Sequence, residues 1–128
     1  MNPNRALSVL ALVAVLAASA AFAAGDPNTT SVFQGPKANT GTATLYHANG
    51  KTLLKVSSDF KVPDTPAPTW RVVDSRGNVY TLDAFKIKGG EKREVVVPSY
   101  IQDVVKVQVY CAWAEIILGE AGFQAAVK

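Results

Sequence analysis

The chain has 128 residues, 48% hydrophobic and 18% charged, with a formal net charge of +3. So mild a balance argues against nucleic acid or an anionic lipid surface as partner. One cysteine and one histidine exclude an internal disulfide and a zinc set of three or four nitrogen and sulfur ligands.

The first 24 residues read as a cleavable secretory signal. Arg5 is the only charge before Asp26, and Ala6 to Ala24 is an apolar run rich in Ala, Leu and Val. Ala21 and Ala23 supply the small-residue pattern of a signal peptidase site. An uncleaved anchor of ~20 apolar residues is the competing reading, and the alanine-rich composition and the polar stretch that follows favour cleavage. The expected mature chain is therefore exported, periplasmic or extracellular, with no stable membrane anchor. Loss of Arg5 leaves a net charge of about +2 (3 − 1). About 105 residues remain, enough for one domain that buries roughly two thirds of its unfolded surface.

Residues 25–31 are polar and read as a flexible lead-in to a single domain over 32–128. From Thr42 the pattern has period two, with Ala43, Leu45 and His47 alternating with Thr42, Thr44 and Tyr46. Asn49-Gly50 then predicts a tight hairpin, because both residues tolerate positive φ. The return runs from Thr52 to Val56, and Asp59 to Val62 continues it. Three prolines between Pro63 and Pro68 form a loop. Trp70 to Val73, a turn at Asp74 to Asn78, and Val79 to Leu82 make the next pair of strands. A loop at Lys88 to Glu91 leads to Glu94 to Val97, which Pro98 ends. Ser99 to Asp103 predicts one short helical turn capped by Ser99. A last long strand runs from Val105 to about Leu118, and the tail from Gly119 packs back or frays. Together these elements predict an all-β domain, a small antiparallel β-sandwich of about seven to nine short strands behind a helical signal.

The order of these segments resembles the DM-thirteen domain of the electron-transfer DM-thirteen family. The likeness spans about Phe33 to Phe123. It is carried by Gly41-Thr42-Ala43-Thr44-Leu45, the hairpin at Asn49 to Leu54, and Asp59 to Val62. Ala67 to Val73, the Lys88-Gly89 loop, Val107 to Cys111 and Gly119-Glu120-Ala121 complete it. Thr69 stands after Pro68 where that family carries an acid. The family's domain occurs beside haem-binding sandwich domains and membrane cytochrome-type reductases. The resemblance therefore implies an exported accessory domain with an electron-transfer role and a redox or envelope protein partner. Cys111 would act as a bare thiol or as a ligand to haem or another prosthetic group, with Trp113, Tyr110 and Trp70 as its neighbours.

The residues themselves leave Cys111 open between a buried inert thiol, an intermolecular bridge and a functional thiol. The alternation puts it on one face with Val107 and Val109, where burial would raise its pKa and silence it. Trp113 is expected on that face too, in one cluster with Trp70 and Cys111. The covalent C-x-x-C-H haem pattern and the G-x-S-x-G elbow are absent. His47 reads as a solvated residue beside the hairpin turn. The cations Lys86, Lys88, Lys92 and Arg93 are interrupted by Glu91 and read as a solvated hairpin tip. Acids are scattered singly, so the chain is expected to be non-enzymatic. The different-class reading is a structural or adhesion module of the cell envelope in which Cys111 is only core.

Overall fold

The computed structural model describes residues 25–128. The expected signal helix and its cleavage site lie outside them. Nine strands follow one another: β1 Ala43–Ala48, β2 Lys51–Val56, β3 Pro68–Val73, β4 Val79–Ala84, β5 Lys86–Ile87, β6 Gly90–Glu91, β7 Glu94–Val97, β8 Val104–Cys111 and β9 Ile116–Val127. All pairings are antiparallel. One sheet has the order β1-β2-β7 and the other β4-β3-β8-β9, with β5-β6 a separate small hairpin. The arrangement is all-β and sandwich-like. No helix of the described residues is long and apolar enough to cross a membrane.

Period-two alternation decides which face of each strand goes inward. Ala43, Leu45, Leu54, Val56, Val95 and Val97 are buried from the first sheet. Trp70, Val72, Val107, Val109, Cys111, Leu118, Ala121 and Phe123 are buried from the second. Asn49 and Gly50 take φ of 52° and 75°, which lets β1 and β2 close in a two-residue turn. Pro68 can enter the central strand β3 only because it stands at its first residue. Four aromatic rings tie the loops to this core. Phe33 lies 5.0 Å from Phe60, Phe60 5.5 Å from Phe85, and Phe85 4.5 Å from Trp70. Such pairs add about 0.5–1.5 kcal/mol each beyond their burial. The indole Nε1 of Trp70 donates to the Lys92 carbonyl at 2.8 Å, so the buried ring keeps its hydrogen bond.

The lead-in is structural rather than flexible from Asn28 onward. Leu45 N–H donates to Asn28 O, Thr30 N–H to Ala43 O, and Ala43 N–H to Thr30 Oγ1, each at 2.9 Å. Thr30 is 1% exposed. The chain then crosses to the other sheet. Ser31 N–H donates to Gly122 O, Gln34 and Glu120 exchange both backbone bonds, and Lys37 and Ala38 N–H both reach Leu118 O. Residues 28–38 thereby satisfy the outer edges of β1 and β9, which would otherwise offer unpaired backbone groups.

Three further expectations are corrected. Ser99 to Asp103 is a turn with Ile101 N–H on Pro98 O at 3.0 Å, not a helical turn, because no second bond follows that one and the chain runs on into β8. Asp59 to Val62 is loop, pulled out of line as Phe60 inserts into the aromatic row. The last strand is two strands, broken at Ala112–Glu115, and the tail is the second half of β9.

Where the N-terminal segment crosses β9 the backbones touch. A Cβ on Gly119 would lie 2.0 Å from Ala38 O, and one on Gly35 would lie 2.3 Å from Gly119 Cα. Gly50 has open space around it and only its positive φ to protect. Gly119→Ala is therefore expected to cost about 3 kcal/mol or more, and Gly50→Ala about 1 kcal/mol. Urea unfolding measures both, and equal losses would contradict the crossing.

Candidate functional site

The hairpin joining β8 to β9 gathers the residues singled out from the sequence. Tyr110 and Cys111 end β8, pairing with Ile117 and Ile116 of β9. Between them Ala112–Glu115 turn the chain, with Glu115 N–H on Cys111 O at 2.7 Å and Glu115 at φ 58°. A left-handed glutamate carries no glycine, asparagine or proline signal, which is why the sequence reads as one continuous strand.

This turn separates the expected cluster. Cys111 is 2% exposed, inside the core. Trp113 is 75% exposed on the turn, so it does not share a face with Cys111. Trp70 is fully buried, but it stacks on Phe85 rather than joining Trp113. Tyr110 points to the outer face, half-buried, with the Arg71 guanidinium carbon 4.0 Å from its ring centroid. Ile116 and Ile117 beside Trp113 are 51% and 42% exposed. Residues 112–117 form an exposed tip in which Glu115 is the only charge. The adjacent isoleucines were missed because a period-two reading places one of any such pair inside.

Hydrogen bonding holds the thiol of Cys111 below its ordinary pKa and outweighs burial, which pushes it up as expected. The N–H of Ala114, 3.4 Å from Sγ, is the main cause. Desolvation opposes it, and the N–H groups of Trp113 and Ala67 reinforce it. The Thr65 hydroxyl lies in the same surroundings but is buried without meeting hydrogen-bond geometry, so the backbone donors carry the effect. A thiolate would be tolerated here, yet no reagent reaches it without opening the hairpin.

The surroundings do not fit a haem. The sulfur is enclosed and already accepts an N–H, and the surface cavities of about 150 to 480 Å³ are lined by other residues. No second ligand is near. His47 is exposed, with Nε2 2.8 Å from Lys128 O and Nδ1 3.1 Å from Thr52 Oγ1. That is the far end of β9 from Ile116, so His47 and Cys111 form no pair. Among the described residues no group of three or more His, Cys, Asp or Glu could hold a metal ion.

Three of the four cations of the expected solvated hairpin tip stand in surface ion pairs, Lys86–Asp64, Lys92–Asp83 and Arg93–Glu91, and the fourth, Lys88, is exposed. Arg93 also donates to the carbonyls of Ser57 and Phe60, which makes it a brace for the loop below β2. A small polar cavity of about 150 Å³ at the β3–β4 turn is lined by Asp74, Tyr80, Tyr100 and Asp103. Both acids are consumed internally. Asp74 accepts from Arg76 N, Asn78 N, Asn78 Nδ2 and Tyr80 OH, and Asp103 from Ser75 N and Oγ. They organise the turn rather than face a ligand.

Compared with protein-family models, curated proteins and solved structures, the chain matches none.

Two measurements follow from these environments. Native Cys111 should react with an aromatic disulfide reagent at least about 100-fold slower than in denaturant, the factor that an opening cost of about 3 kcal/mol sets. Fast native labelling would show an open thiol. Burial pushes the Asp74 carboxyl up, but hydrogen bonds from Asn78, Tyr80 and Arg76 outweigh it and hold the pKa at about 2, against 3.8 unperturbed. Its stabilising effect is thus present above about pH 4 and lost as pH falls toward 2. Thermal unfolding of Asp74→Asn should give lower stability at neutral pH and a flatter profile across that window.

Proposed function

We propose that this chain is an exported, non-enzymatic interaction module of the cell envelope, with the β8–β9 tip as its contact surface and Cys111 as part of its core. One observation carries the reading. The turn that buries Cys111 at 2% exposure presents Trp113 at 75% exposure, flanked by Ile116 and Ile117. Tryptophan on a protruding hairpin supplies large apolar contact area at small entropic cost, the property that makes it a frequent anchor of protein interfaces. Export rests on the N-terminal sequence alone, in its apolar run and small-residue site.

A second reading follows the DM-thirteen resemblance and makes the domain an electron-transfer accessory working through Cys111. The backbone N–H groups that lower its pKa favour this reading. It takes the cysteine as a bare thiol, since its surroundings leave no room for a haem. Rapid labelling of native Cys111 would favour this reading over the first.

The contact surface has its own test. With a photo-crosslinking amino acid at position 113, the host cell envelope should yield one discrete adduct. Placement at exposed Gln124, on the other half of β9, should yield none. The same adducts from both positions would refute a tip-specific partner.

A further inference from the structure

The apolar tip of the β8–β9 hairpin has an apolar counterpart at the other pole of the sandwich. There the ends of β1, β7, β8 and β9 surround an open cavity of about 200 Å³. Leu45, Val97, Ile101, Val104 and Val127 make its lining mostly apolar, and Ser99 and Gln102 stand exposed at its rim. Cys111 pairs with Ile116 at one end of β8, and Val104 pairs with Val127 at the other. At ~3.3 Å per residue these ends stand roughly 23 Å apart. The tip cannot reach the cavity of its own chain, so only a second molecule can bring the two together. Their charges are opposite. Glu115 is the tip's one charge, and among the described residues it has no ion-pair partner. Lys128 at the cavity is exposed and has none either. The acid there, Asp103, already accepts from Ser75 N and Oγ.

We propose that the tip of one copy plugs the cavity of the next, so that the chain associates head to tail with itself. The inference rests on the tip being a contact surface and names a second copy as what it contacts. An apolar cavity of about 150 Å³ takes up a benzene ring, so one of about 200 Å³ admits the Trp113 indole. The indole N–H then meets an acceptor on Ser99 or Gln102, and Ile116 and Ile117 rest on the rim. Glu115 comes to Lys128, which fixes the orientation by opposite charge. Plug and socket are different surfaces at opposite poles, so the contact is heterologous, and each added copy leaves one plug and one socket free. A tryptophan anchor contributes about 150–250 Å². Stable interfaces bury about 1,200–2,000 Å², so this association is weak and grows with concentration.

Sedimentation velocity on residues 25–128, which hold every described strand and the whole described core, tests this up to about 1 mM. The mean size should rise with concentration. Tryptophan emission should shift to the blue as Trp113 leaves water, since Trp70 is buried throughout. Trp113→Ser removes the plug, and Ser99→Glu sets an acid against Glu115 at the socket. Both positions are exposed, so the fold is retained. Each variant alone should associate at least about 10-fold more weakly. Mixed, they should form dimers and nothing larger, the plug of the Ser99→Glu chain sitting in the socket of the Trp113→Ser chain. Unchanged association in Trp113→Ser, a parent chain that stays monomeric, or no dimer on mixing would each overturn the inference. Ser99→Glu associating at the parent's strength would overturn the socket and leave the tip a contact surface. Cross-linking from position 113 decides separately whether the tip meets a different protein.

Discussion

The fold hangs on a strip of backbone that belongs to neither sheet. Residues 28–38 hydrogen-bond first to β1 and then to β9, so one segment closes the same side of both sheets. Backbone edges left open cost desolvation or invite pairing with other chains. The strip removes that liability and delivers Phe33 into the aromatic row with Phe60, Phe85 and Trp70. It can lie so close to β9 only because Gly35 and Gly119 carry no side chains. The opposite side is held differently, by the chain that runs from β4 to β7, where Lys92 N–H donates to Phe85 O and the Trp70 indole to Lys92 O. The molecule is thus zipped along one side by a separate strip of backbone and joined along the other by the segment that links the two sheets.

That asymmetry frames the chemistry. β9 begins at Ile116, within the tip, and Lys37 and Ala38 secure it at Leu118. The tip therefore projects from an anchored base, and the same turn encloses Cys111. An enclosed sulfur ringed by N–H donors is a group whose ionised form is stabilised but shielded. The exposed indole and isoleucines are the converse, apolar groups left in water by a fold that has ample interior. Surface apolar residues scattered singly need no explanation, but three within five positions on one hairpin are concentrated enough to call for a partner.

Most of the strand order was legible. The Asn49-Gly50 turn, the β3–β4 pair and the β7 strand ending at Pro98 follow from turn chemistry and alternation. Less of the candidate site was legible. Cys111 was placed inward by its register with Val107 and Val109, and that placement holds. Trp113 was extrapolated along the same register, and the turn at Ala112–Glu115 broke it. The turn has no local signature because Glu115 bears the positive φ, a conformation imposed by the pairing of Tyr110 with Ile117. The cavity at the far pole gave no sequence signal either, since its lining comes from strands of two different sheets.

By itself, then, the sequence determined the class of fold, the inward faces of β1, β2 and β8, and the buried cysteine. These depend on composition and on periods of two residues, which are local. The tertiary structure alone decided that a polar lead-in is the zipper of the sandwich, that the last strand is two, and that Trp113 faces water. It also decided that the Cys111 sulfur accepts the N–H of Ala114. Each of these depends on where the orphan N–H and C=O groups of one segment find partners in another, and a linear pattern of side chains does not encode that.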